Sequence, residues 1–131
     1  MADWLRILLA ILIGVHGIGH ILFLAPLLGL ADWGQTDNSW LSGSSWLVRT
    51  LGVIVYAVVM LGFIAAAFGI FTQTNWWSMI LLASAAVSIV ALAVFWVRPR
   101  TSPEVSAMTL NGIVIGLLLL TNWLPVAQAS H

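Results

Sequence analysis

The run SWLVRTLGVIVYAVVMLGFIAAAFGIF, from Ser45 to Phe71, carries one charged residue, Arg49. Its apolar side chains are continuous rather than alternating, so it does not read as a half-buried strand. A helix needs about 20 apolar residues to cross about 30 Å of hydrocarbon, and this run exceeds that. Inside lipid every backbone N–H and C=O must be satisfied by the chain itself, which leaves helices or a closed barrel. A barrel needs at least about eight alternating strands, and the rest of the chain repeats the continuous pattern. Further apolar runs extend from about Leu5 to Leu30, from Trp76 to Val97 and from Ala107 to Ala127. The sequence therefore predicts an all-α integral membrane protein, a single transmembrane domain over residues 1–131. Its four spans lie near 5–30, 45–71, 76–97 and 107–127.

Composition agrees. Of 131 residues 62% are hydrophobic and 6% charged, against about 25% charged in a soluble domain. So few charges cannot cover a water-exposed surface, so membrane lipid is the expected solvent. Net charge is zero and no basic cluster exists to neutralise phosphates, which argues against nucleic-acid binding. The absence of cysteine removes disulfides, thiolate zinc sites, iron–sulfur clusters and covalent c-type haem from consideration.

Tryptophans mark the span ends, where an amphipathic ring sits at headgroup level: Trp4, Trp46, Trp76, Trp77, Trp96 and Trp123. Trp33 and Trp40 place the loop from Ala31 to Ser44 along the interface. The link from Thr72 to Asn75 is short enough to force an antiparallel hairpin. Pro99 and Pro103 put a break between Arg98 and Ser106. Gly29-Leu30-Ala31 has small residues spaced for signal-peptidase cleavage. The apolar run before it is longer than a signal-peptide core and is interrupted by histidines, so it reads as a span. Arg49, Arg98 and Arg100 outnumber Arg6, which places the first and third loops in the cytoplasm. Helices in lipid associate through close packing and polar contacts. Small pairs at helical spacing, Gly112 with Gly116 and Ser84 with Ser88, are the expected seams of one four-helix bundle, with a homo-oligomer seam as the alternative, and Leu118 is expected to face lipid. Asn111 and Asn122 share one helical face and are placed to bond across helices or to line a site.

The stretch with chemical content is Gly14-Val15-His16-Gly17-Ile18-Gly19-His20. Ionisable side chains at mid-span are rare and mark candidate functional sites. A spacing of four puts both imidazoles on one face. Gly14 and Gly17 flank that face on one edge and Gly19 on the other, so bare backbone lies beside two rings. That implies a close helix neighbour or a bulky ligand. One reading makes each histidine a neutral, buried group bonded to a serine, an asparagine or a carbonyl of a neighbouring span. Another makes His16 and His20, with Gly17 and Gly19, a cofactor site for haem or another tetrapyrrole, or for a quinone. A metal ion held by His16 and His20 is a third. Every Asp and Glu is expected outside the spans, so no further ligand or proton-relay carboxylate is evident, and no hydrolytic triad is recognisable.

Arg6-Ile7-Leu8-Leu9 followed by His16-Gly17-Ile18-Gly19-His20 resembles the first helix of DoxX-like proteins. These are small bacterial four-helix membrane proteins with an arginine near the start and a His-Gly-x-x-Lys stretch; His20 stands where that stretch has lysine. The resemblance covers about the first twenty-five residues. It implies a bacterial inner (plasma) membrane location and a non-catalytic accessory or assembly subunit of a membrane redox system, rather than an enzyme. The partner is then another membrane subunit, or further copies in a homo-oligomer. The alternatives are the histidine-based binding module and a small oligomeric transporter or channel.

Overall fold

The computed structural model describes residues 3–31, 46–95 and 102–121. The helices are α1 (Asp3–Gly19), α2 (Ile21–Leu27), α3 (Trp46–Thr72), α4 (Trp77–Val94) and α5 (Ser102–Leu120). α1 and α2 together form the first span, and four segments are long and apolar enough to cross a membrane. Among the described residues there is no strand. Trp4 and Trp46 lie exposed at the ends of their helices. Trp33, Trp40, Trp96, Trp123 and Asn122 lie outside the described residues.

α3 packs against α1, α2 and α4, and α4 packs in turn against α5. Glycine sets the closest approaches. A Cβ on Gly17 would stand 2.7 Å from the Phe63 Cβ, and one on Gly62 would collide with the Ser84 Oγ. Contacts run in opposite order along each neighbouring pair, so the bundle is antiparallel: Gly14 meets Ala67 while Gly17 meets Phe63. Two apolar clusters fill it. One gathers Ala10, Ile13, Val59, Phe63, Ala85 and Leu118; the other gathers Phe23, Leu24, Tyr56, Ala91, Leu92 and Ala107.

Helix ends follow from the chemistry of orphan carbonyls. At the end of α2 the Leu30 N–H bonds the Ala25 carbonyl at 2.9 Å and the Gly29 N–H bonds the Pro26 carbonyl at 3.0 Å. Gly29 sits at φ +72°, the left-handed residue that this pair of bonds requires. Arg49 donates from Nε to the Leu27 carbonyl, a cation at a helix C-terminus. The α3–α4 hairpin closes in the same way, with Thr74 N–H to the Gly69 carbonyl at 3.0 Å and Gln73 N–H to the Ile70 carbonyl at 3.3 Å. Here Gln73 takes the left-handed position, at φ 59°.

Three expectations are corrected. The fourth span begins at Ser102 rather than near Ala107. Pro103 falls in the first turn, where its missing N–H would have no helical partner in any case. Glu104 therefore belongs to a span, and it is buried. Among the described residues the Gly112/Gly116 pair forms no seam: a Cβ on either would meet nothing within 4 Å. Leu118, expected to face lipid, is 2% exposed.

Two outcomes follow for stability in detergent. Gln73→Gly should raise it by about 0.5 to 1 kcal/mol, since the left-handed penalty of about 1–2 kcal/mol outweighs glycine's extra unfolded freedom. Leu118→Ala should cost about 2 kcal/mol or more as a core truncation, whereas Gly116→Leu should leave the isolated chain unchanged. Unfolding titrations of the three variants check both.

Candidate functional site

His16 and His20 reach the interior by different routes. The face Ala10, Ile13, Gly17, His20 is the buried stripe of the first span, and His16 lies half-buried beside it. The helix breaks at His20. The His20 N–H bonds the Gly17 carbonyl at 3.1 Å, one residue short of the α-helical register. The His16 carbonyl instead meets Nδ1 of the His20 ring at 3.1 Å. A side chain inserted into the backbone ladder is a recognised cause of a helix break.

The ring continues into the bundle. Nε2 of His20 lies 2.8 Å from the Ser88 Oγ on α4. Nδ2 of Asn111 on α5 donates to the same oxygen at 2.7 Å, and Oδ1 of Asn111 lies 2.8 Å from Nε2 of His16. His20, Ser88 and Asn111 are each at most 1% exposed. Phe63 from α3 closes the side: its ring stands edge-on to His16 at 4.8 Å and stacks on His20 at 5.3 Å. The polar layer lies between the two apolar clusters.

For neutral rings the proton positions follow from one end. A carbonyl only accepts, so His20 carries its hydrogen on Nδ1 and its Nε2 is a bare acceptor. The Ser88 hydroxyl must then donate to His20, and its oxygen accepts from Asn111. That turns Oδ1 of Asn111 toward His16, which must carry its hydrogen on Nε2. The result is one directed circuit: His16 to Asn111 to Ser88 to His20, and back to the His16 carbonyl. Of the four ring nitrogens, Nδ1 of His16 alone keeps a lone pair with no partner among the described residues.

The circuit settles how the sequence candidates are arranged. His16 and His20 come together, with ring centroids 5.2 Å apart, but their Nε2 atoms address Asn111 and Ser88 rather than a common point. Among the described residues no three His, Cys, Asp or Glu side chains converge. As arranged, ligation through Nε2 of either ring requires breaking the circuit. Gly17 serves the approach of Phe63, whereas among the described residues nothing lies within 4 Å of where a Gly19 Cβ would be. Both edges foreseen for the histidine face therefore exist, one filled by a helix and one open.

Asn111 is a residue the sequence offers for bonding across helices or lining a site, and it bonds both His16 and Ser88. Ser88 reads from the sequence only as a packing residue, and a span start near Ala107 puts Asn111 close to a helix end. With α5 starting at Ser102, Asn111 is mid-helix, at the depth of the histidines. Fold and site together define a small four-span helical membrane protein with a closed polar circuit at its centre. No family model, no curated protein and no solved structure matches the chain.

Each circuit member should be costly to remove alone and cheaper to remove in company. Ser88→Ala and Asn111→Leu each orphan buried groups, at about 1–3 kcal/mol per group. The double variant should be less destabilised than the sum, with a coupling of about 0.5–3 kcal/mol. A double-mutant cycle on unfolding free energies in bicelles checks this; strict additivity would mean the two residues are not linked.

Proposed function

We propose that this chain is a non-catalytic accessory or assembly subunit of a membrane redox system in a bacterial-type inner membrane, as its DoxX-like first span implies. The observation that supports the non-catalytic part is the circuit itself. The side chains best suited to chemistry are hydrogen-bonded to one another at the bundle centre, where they join the first span, α4 and α5. Groups used in this way specify helix pairing and register, since in lipid an unmatched polar group is costly. The redox association rests on the Arg6 and His16-Gly17 resemblance, and the partner is another membrane subunit or a second copy of the chain.

The test is genetic and biochemical. Removing the chain from its host should lower the amount of an assembled membrane oxidoreductase, and restoring it should recover that amount. A doubly substituted His16→Gln, His20→Gln chain keeps a donor and an acceptor at both positions. Provided it folds, it should restore the enzyme as well as the unaltered chain does. Unchanged oxidoreductase levels on removal would sink the accessory reading. Failure of a folded glutamine variant would show that the imidazoles do more than hold helices.

A further inference from the structure

A groove of about 180 Å³ opens between the first span and the start of α5. Among the described residues α5 packs mainly on α4, and no close seam joins it to the first span on the side where the groove lies. His16 and His20 line it, with Gly19 and Leu22 from the first span and Ser106 and Leu110 from α5. Leu22, Ser106 and Leu110 are exposed on the bundle surface, so the groove is open to the lipid side. Among the described residues nothing fills the space where a Gly19 Cβ would be.

The directed circuit dictates what this groove can bind. Both nitrogens of His20 and Nε2 of His16 are engaged. Nδ1 of His16 has no partner among the described residues, and it is not sealed off. Among those residues the one fully buried polar side-chain atom without a partner is Nε of Arg6. A residue lining the groove, His16, therefore carries a ring nitrogen that is not sealed off, accepts and cannot donate. A carbonyl-only head, such as a quinone or an ester, brings an acceptor to an acceptor. An ammonium head would donate, but a charge at mid-span depth is expensive. A hydroxyl donates without charge, and the Ser106 hydroxyl can both donate to it and accept from it. Size adds a limit: a cavity of about 150 Å³ holds one benzene ring, so this groove holds a single ring or a short alkyl stub. Tetrapyrrole sites belong to the larger class of pockets, about 300–1,000 Å³.

We propose that this groove binds the hydroxyl head of a membrane-dissolved alcohol or phenol, whose O–H donates to Nδ1 of His16. The inference does not depend on the accessory role: it follows from proton positions and groove size alone. Aliphatic lipid alcohols and phenolic or hydroquinone lipids share this chemistry, and two probes separate them.

The experiment uses the full chain, labelled with the heavy nitrogen isotope in histidine, in phosphatidylcholine nanodiscs. Decanol, para-decylphenol and decyl methyl ether are titrated in turn while the ring-nitrogen NMR shifts are read. Nδ1 of His16 should move saturably with decanol or with decylphenol, in the direction of a lone pair accepting a hydrogen bond. The tighter of the two identifies the aliphatic or the aromatic source. The ether, which cannot donate, should bind about tenfold more weakly, the worth of one net hydrogen bond. Leu110→Trp and Ser106→Leu fill the groove from exposed positions. Each should abolish the shift while leaving the His20 resonances in place, which reports an intact circuit. The proposal is overturned by the absence of a saturable shift with either hydroxyl probe, by an equal response to the ether, or by a shift that persists in both filled-groove variants.

Discussion

Lipid offers no hydrogen bonds, so every polar group that enters the bundle must find its partner within the chain. His16, His20, Ser88 and Asn111 meet that demand by satisfying one another, and the rest of the architecture accommodates them. The first span gives up one α-helical register at His20 so that the His16 carbonyl can take the imidazole Nδ1–H. Phe63 presses against both rings because Gly17 lets the α3 backbone come close. Above and below the polar layer the packing is apolar. Apolar packing alone discriminates poorly among helix registers when lipid tails are equally apolar. The circuit supplies that discrimination.

The same constraint explains the helix ends. Carbonyls at the end of a helix have no N–H to accept from within the helix. At the end of α2 the chain answers with Gly29 and with the Arg49 guanidinium. At the α3–α4 hairpin it uses Gln73 and adds the Thr74 hydroxyl, which donates to the Gly69 carbonyl at 3.3 Å. Arg49 thus ties the start of α3 to the end of the first span. Gly69 permits the tight return, since a Cβ there would stand 2.8 Å from the Trp77 Cβ.

A polar circuit in a bundle core can hold helices and still favour one kind of ligand. Closing the circuit fixes the tautomer of each ring, and fixing the tautomers leaves a lone pair on the side where the first span and α5 stand apart. Structure and the proposed recognition are coupled there through proton position. The proposed accessory role and the proposed lipid-alcohol site are compatible, because the first would use the closed part of the circuit and the second the free ring nitrogen of His16.

Span number, helical class and the pairing of His16 with His20 on one face were all legible in the chain, because continuous apolarity and helical period are local properties. So was the α3–α4 hairpin, from the shortness of its link. The start of α5 was misread because a proline breaks a helix interior yet is accepted in a first turn, and which applies depends on where neighbours anchor the helix. That single displacement put Glu104 outside the span and Asn111 near its end rather than at mid-helix. Leu118 lies inside rather than facing lipid, and the Gly112/Gly116 pair does not join the described helices of this bundle, for a related reason. Spacing shows which residues share a face, but not which face turns inward. Only the tertiary structure decided that, by bringing Ser88 and Asn111 from two other helices within hydrogen-bond distance of imidazoles that lipid could not satisfy.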